Sequence, residues 1–348
     1  MLIQSAPTSA ASIPEQRVPR AGMKGMLLPV AAAAYLVGVV ALWITLRQFG
    51  DRWWPATVLL LGPRWPFAIP LVMLIPWTLA ERRWRSGILV AVAGAMLLWG
   101  VFGFRLSLSA IGATRGDVRV LTCNGHRQHL DAARLARYLE NVRPDVVAIQ
   151  GWSEANQAIL FGGQGWNTQR EGELLLASRF PIRLVRALDL TGSNSGQPGE
   201  RGAAAVFEIG LPNRALTLIN LHLASPHGGL LMLSDDAGEK LAGNVDRRWN
   251  ETGVITDACE EVRGPLLVVG DFNTTDDSPM FRERWVGQGL SDAFGECGSG
   301  FGYTYLIRRT QLRIDHILGN ASIGFKRCWV GPEVGSPHRP LVADVMCR

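Results

Sequence analysis

The chain has 348 residues, 47% hydrophobic and 19% charged, with 39 Gly and 19 Pro that follow no short period. This excludes a disordered tail, a collagen-like repeat and a coiled coil. Charge is unevenly divided: of 35 Lys/Arg and 30 Asp/Glu, the stretch up to Gly116 holds eleven and three, leaving 24 and 27 from Asp117 onward, so the larger part has no positive surplus with which to hold a polyanion.

Residues 1–25 read as a cytoplasmic tail and residues 26–110 as a membrane region of about three helices. The run 27–46 carries no charge over twenty residues, the length a helix needs to cross a hydrocarbon layer about 30 Å thick. It is long for a cleaved signal and lacks a small-x-small exit, so it reads as an anchor. A second apolar stretch, 56–80, contains Arg64; the charge either shortens the span to about 67–80 or lies at depth at a cost, and a re-entrant segment is a further reading. A third, 87–104, is again uncharged. Trp53, Trp54 and Trp84 fall at span ends, where an indole suits the headgroup level. Arg17, Arg20 and Lys24 before the first span, with Arg82, Arg83 and Arg85 between the second and third, predict a cytoplasmic side for both clusters and an outer side for everything after Arg105. Arg47 and Arg52 run against this bias.

From Asp117 the pattern changes to short apolar runs that stop at polar residues. VRVLTC stops at Asn124, DVVAI at Gln150, ALTLINL at His222, PLLVVG at Asp271 and LRI at Asp315; LVADV begins just after His338. Helical periods lie between them, one opening at Asp131 and a longer one over about 236–262. Hairpin-like pairs in the middle, roughly 174–178, 182–188, 203–209 and 216–222, exclude an all-parallel doubly wound sheet. Five cysteines (Cys123, Cys259, Cys297, Cys328, Cys347) show no zinc spacing and no disulfide framework, although an outer location leaves room for one bridge. Each polar strand end taken alone reads as a turn residue; together they supply carboxylates, amides and histidines suited to stabilising charge on phosphate.

Seven segments, VRVLTCNGH, RPDVVAIQGW, LLLASRFPI, LTLINLHL, LLVVGDFNTTDDSPMF, LRIDHIL and GSPHRPLVADV, resemble in order and spacing the endonuclease/exonuclease/phosphatase superfamily of DNase-I-like metal-dependent phosphoesterases. The resemblance covers the domain 117–348. It implies an α+β fold, a four-layer α/β/β/α sandwich, and a site where strand-end loops meet. It implies that Asp271 orients or deprotonates the attacking water, that Asn124 and Asn273 hold phosphate oxygens or metal-bound waters, and that His222 stabilises the phosphoryl group or its leaving oxygen. Asp315 would accept the Nδ1 proton of His338 and aim Nε2 at phosphorus. The implied cofactor is Mg²⁺ or Mn²⁺, with Asn124, Asp271 and Asn273 as ligands.

Two positions depart from the family. The Glu that follows Gln150 in the family, its main metal ligand, is Gly151, and the Asp before His338 is Pro337. Loss of two carboxylates endangers a site for a cation that prefers oxygen ligands. Glu154 is the only nearby acid: it either reaches back as a substitute ligand or serves as an ordinary acid in a first helical turn, the role we favour. His316 reads as a hydrogen-bonding neighbour, His126, His129 and His227 as loop histidines, and Arg179, Arg201 and Arg339 as structural rather than phosphate-binding.

The expected function is a membrane-anchored hydrolase of phosphate esters or anhydrides acting on a lipid-linked phosphate. The architecture looks like the bacterial membrane branch that includes glycopeptide-resistance proteins proposed to act on polyprenyl pyrophosphate. The alternatives are a catalytically degenerate member that binds a phosphorylated ligand, for which Gly151 and Pro337 speak, and an extracytoplasmic nuclease, against which the domain charge counts.

Overall fold

The computed structural model describes residues 23–348 apart from 109–111, 164, 191–201, 227–236 and 308–309. Arg17, Arg20, Arg201, His227 and most of the expected tail lie outside the described residues.

Three apolar segments come first. α1 (Met23–Phe49) is continuous, while the second segment breaks into α2 (Trp54–Leu61) and α3 (Ile69–Ala80), and α4 (Trp84–Ala95) continues through a π-helical stretch, Met96–Val101. Met26–Phe49 and Trp84–Val101 are each long and apolar enough to cross a membrane; Trp54–Leu61 and Trp65–Ala80 are bent by 77° at the break holding Arg64. Arg64 stands at this bend, which makes the pair either one broken span or a re-entrant loop. α2 packs on the rest of the chain, where the Trp54 ring lies against Gly238.

The described residues of the remainder form fourteen strands, β1 (Val118–Asn124), β2 (Val146–Gln150), β3 (Asn167–Glu171), β4 (Leu174–Ser178), β5 (Ile182–Leu188), β6 (Ala203–Leu211), β7 (Arg214–His222), β8 (Leu266–Asp271), β9 (Ser291–Asp292), β10 (Tyr305–Ile307), β11 (Thr310–Leu312), β12 (Asp315–Gly319), β13 (Ile323–Val330) and β14 (Leu341–Cys347). They form two six-stranded sheets, in the orders β13-β14-β1-β2-β4-β3 and β5-β6-β7-β8-β12-β9, and the small hairpin β10-β11. Among the described residues only β1 with β2 and β7 with β8 run parallel. A parallel pair needs a crossover, and α5 (Ala132–Val142) and α7 (Ala237–Glu260) supply it. The expected start of α5 is borne out: the Asp131 side chain accepts from Arg134 N–H.

Strand alternation sorts side chains into layers. In β1 and β2, Val118, Val120, Val146 and Ala148 face the second sheet, while Leu121, Cys123, Val147 and Ile149 face α5 and the short α6 (Gln157–Phe161). In β8, Leu267 and Val269 enter the same central core, and Leu266 and Val268 pack outward with Ile255 of α7. The result is the expected four-layer sandwich.

Two details differ from expectation. The 174–178 and 182–188 runs do not form a hairpin: β4 belongs to the first sheet and β5 to the second, joined by a turn at Phe180–Pro181. LRI does not end a strand at Asp315. β12 begins there, because it runs antiparallel to β8 and so enters the sheet at the end where β8 leaves. All five cysteines are free.

The apolar helices and the sandwich share a core. Val39, Leu42, Leu46, Leu60, Leu97 and Val101 pack with Leu312 and Ile314, immediately before Asp315.

Candidate active site

The period of two that fills the central core continues to the strand ends. In β1 the inward set is Val118, Val120, Thr122 and then Asn124; in β7 it is Leu216, Leu218, Asn220 and then His222; in β8 it is Leu267, Val269 and then Asp271. Asp315 opens β12 directly opposite Asp271, and His222 stands beside Asp271 across the parallel pair. Four strands thus deliver four polar side chains to one end of the gap between the sheets. A polar layer closes the gap beneath them: Gln150 donates to Asn220 Oδ1 at 2.7 Å and to Thr122 Oγ1 at 3.0 Å, and Asn220 donates to the carbonyls of Ile149 and Leu175. Gln150 therefore joins the sheets rather than lining the site.

Asp271 is the centre. Its Oδ2 accepts from Asn124 Nδ2 at 2.8 Å and lies 3.6 Å from both His222 Nε2 and His338 Nε2, while its Oδ1 accepts the Asn273 N–H at 2.9 Å. Asp315 Oδ2 sits 2.9 Å from His338 Nδ1, so the expected dyad is formed and Nε2 points at Asp271. His338 is held by its own segment: Ser336 Oγ donates to the Asn124 carbonyl at 2.6 Å and accepts the His338 N–H at 3.1 Å. The Tyr305 ring packs on the imidazole, with centroids 4.9 Å apart. Asn273 takes a left-handed backbone (φ 48°), and its side-chain amide donates to the Leu223 carbonyl at 2.8 Å rather than toward Asp271.

Burial opposes charge on both histidines, yet neighbouring carboxylates overcome it. Asp315 and Asp271 raise His338 to about 9, and Glu173 and Asp271 raise His222 above the ordinary imidazole range. Burial, with Asp315 nearby, pushes Asp271 up, against the opposing pull of the two histidines. Both ring Nε2 atoms thus lie 3.6 Å from Asp271 Oδ2, and the surrounding carboxylates favour the protonated form of each ring.

Glu173 was not anticipated. It precedes β4, with Oε1 2.6 Å from His222 Nδ1, and its carbonyl accepts the Trp152 N–H. Burial opposes its charge, but His222 holds its carboxyl below the usual range. A signal existed: β4 pairs antiparallel with β2, so the residue before it must lie at the site end. Glu154, by contrast, is exposed and pairs with Arg170, as an ordinary surface acid does. At Gly151 (φ 57°) a Cβ would sit 3.0 Å from Asn124 Oδ1 and 3.1 Å from His126 N, so any side chain there is both strained and crowded.

Asp271, Asp315 and His338 each offer a ligand atom within 4.8 Å of the others, all buried. Two carboxylate oxygens and one imidazole nitrogen fit a divalent ion. Beside this group, the Asn124 amide nitrogen bonds Asp271 and its Oδ1 accepts the His126 N–H. His316 is fully buried with Nε2 3.0 Å from the Thr274 carbonyl, and Arg179 stacks on Trp166; both are structural, as expected.

Residues 118–338 match the Endonuclease/Exonuclease/phosphatase family. The chain belongs to that family. Among solved structures it is similar to an endonuclease/exonuclease/phosphatase from Bacteroides vulgatus (18% identity, TM-score 0.51, covering 66% of this chain and 99% of that one). It is equally similar to one from Beutenbergia cavernae (18%, 0.51, 67% and 72%) and similar to truncated Caenorhabditis elegans TDP2 (17%, 0.50, 66% and 98%). At these identities the likeness is one of fold. No curated protein matches the chain. Membership in the Endonuclease/Exonuclease/phosphatase family makes the chain one of a group of phosphoesterases and nucleases that act on phosphate-containing substrates and typically depend on a divalent metal.

Proposed function

We propose that this family member is a membrane-anchored hydrolase of phosphate esters or anhydrides whose substrate is a lipid-linked phosphate. The convergence on Asp271 of Asn124, His222 and the Asp315–His338 dyad carries this reading. Asp271 orients the attacking water and takes its proton. His338, fixed by Asp315, and His222, fixed by Glu173, place positive charge where the phosphoryl oxygens develop theirs. A bound divalent ion would add Lewis-acid polarisation of a phosphoryl oxygen. The carboxylate oxygens of Asp271 and Asp315 would hold it, a donor type that suits Mg²⁺ or Mn²⁺.

The lipid-linked substrate is supported by proximity. Ile314 and Leu312 pack among the apolar helices, and Tyr305, which touches His338, packs against the same cluster. An outer location is supported by charge. Arg52, Arg64 and Arg105 at the sandwich side pair with its Glu283, Asp277 and Asp276, while the cluster Arg82, Arg83 and Arg85 sits at the opposite helix ends.

The test uses the full chain in detergent or lipid discs with prenyl pyrophosphate, generic phosphomonoester and phosphodiester substrates, and DNA, each with Mg²⁺, Mn²⁺ or EDTA. Metal-dependent turnover of the prenyl pyrophosphate, abolished by Asp271→Ala and by His338→Ala, is expected. Cleavage of DNA alone would make the protein a nuclease, and phosphate binding without any turnover would make it a degenerate member.

A further inference from the structure

A lone arginine in an apolar segment is costly unless its charge and all its donors are met. The charge and the terminal Nη donors of Arg64 are met from three directions, while Nε is buried with no hydrogen-bond partner among the described residues. α2 ends at Leu61 and leaves carbonyls without helical partners; Arg64 Nη2 donates to the Leu60 carbonyl at 2.8 Å, and Nη1 donates to the Val101 carbonyl, where the third apolar segment ends, at 2.6 Å. The same two nitrogens engage Asp277 as a fork, Nη1 to Oδ2 at 2.8 Å and Nη2 to Oδ1 at 3.1 Å. Both side chains are about nine-tenths buried, at 11% and 10% exposure. A buried pair adds little net stability, because desolvation cancels most of its attraction; what a fork of this kind does is fix geometry.

The geometry it fixes is that of the active-site loop. Asp277 stands four residues after Asn273, whose N–H holds Asp271 Oδ1. Thr275 Oγ1 donates to Asp277 Oδ1 at 2.6 Å, and the Thr274 carbonyl faces His316. Two further tethers come from the same side. Asp51, fully buried in the α1–α2 turn, accepts the Met280 N–H at 3.1 Å and faces Thr274 Oγ1 at 3.4 Å; Arg105, just after the third segment, pairs with Asp276 at 3.1 Å. From the sandwich side, Arg248 donates to the Asn273 carbonyl and Arg313 pairs with Asp276.

We propose that Arg64 is a positioning residue: through Asp277 the break in the second apolar segment sets the conformation of loop 273–280, and with it the hydrogen bond that orients Asp271. Helix arrangement and site geometry are then one coupled system. The consequence for turnover rests on the phosphoesterase function proposed above; the coupling itself does not.

The experiment is backbone hydrogen exchange, read by mass spectrometry on the full chain in detergent, for wild type, Arg64→Ala, Asp277→Ala, the double variant and Arg64→Lys, with kcat and KM measured alongside. Exchange of the 271–281 amides should rise about tenfold in each single variant, with β1 and β7 amides unchanged. The double variant should exchange no faster than the worse single one, because both remove one interaction. Arg64→Lys keeps the charge without the fork and should fall between. In a protein that turns over prenyl pyrophosphate, kcat should drop about tenfold with KM held within about twofold. If the wild type turns nothing over, the functional proposal fails and the exchange still decides the coupling. Unchanged 271–281 exchange in both alanine variants, or a rise spread equally over the whole sandwich, overturns the proposal; should the alanine variants not fold, the same criteria apply to Arg64→Lys.

Discussion

Glu173 Oε1 lies 2.6 Å from His222 Nδ1, and His222 Nε2 faces Asp271, so a carboxylate supplied by the β3–β4 hairpin orients an imidazole supplied by the other sheet. Together with Asp315–His338 this makes two carboxylate–histidine pairs flanking one aspartate. If the second pair works as the first does, Glu173→Gln, which keeps a hydrogen-bonding side chain but removes the charge, lowers kcat/KM about tenfold, and Glu173→Ala about a hundredfold. Steady-state kinetics with a generic phosphate ester checks this; rates equal to wild type in Glu173→Ala would remove the residue from the site.

Gly151 invites the opposite substitution, restoration of the family's acid. The backbone there is left-handed, and the Asn124 side chain and His126 backbone already crowd the Cβ position. Gly151→Glu is therefore expected to cost about 1–3 kcal/mol and to confer no new Mg²⁺-dependent turnover. Denaturant titration and activity with and without Mg²⁺ measure both parts. A stable variant with gained activity would contradict this account of the position.

Asp344 tests the sheet rather than the site. Its side chain is fully buried; although burial disfavours the charge, Arg119 (2.7 Å) and Arg327 (2.7 Å) hold the carboxyl below its usual range. A depressed folded-state value means the stabilisation is complete above the ordinary carboxylate range and is lost as pH falls through that range toward the folded value. Asp344→Asn should be about 2–4 kcal/mol less stable than wild type near neutral pH, with the gap closing below about pH 4. Chemical denaturation across that range gives the result, and a gap independent of pH would exclude the ion pairs as its source.

The sandwich cut free at Asp117 should not behave as an independent soluble domain. Removal of the helices uncovers Leu312, Ile314 and the buried side of Asp277, and strips Asp51 from the Met280 N–H. The 117–348 fragment is expected to bind a hydrophobic dye and to aggregate where the full chain in detergent does not. A monodisperse fragment with native-like exchange in 271–281 would argue against a shared core.

Much of this protein was legible in its sequence, because the relevant signals are local. Alternation over seven residues places Asn124 on the same face as Val118 and Val120, and an Asp before an amphipathic run starts α5. Ordered motifs identified the family, and an uncharged run of twenty residues marked an apolar helix. What the tertiary structure alone decided are relationships between distant segments: that Asp315 opens a strand instead of ending one, that β4 and β5 lie in different sheets, that Glu173 and not Glu154 meets a site histidine, and that Arg64 finds Asp277 some 213 residues away. The reason is physical. Side-chain periodicity is set by the backbone of one strand or helix, but which carboxylate reaches which cation depends on strand direction and layer packing, and no residue carries either of those by itself.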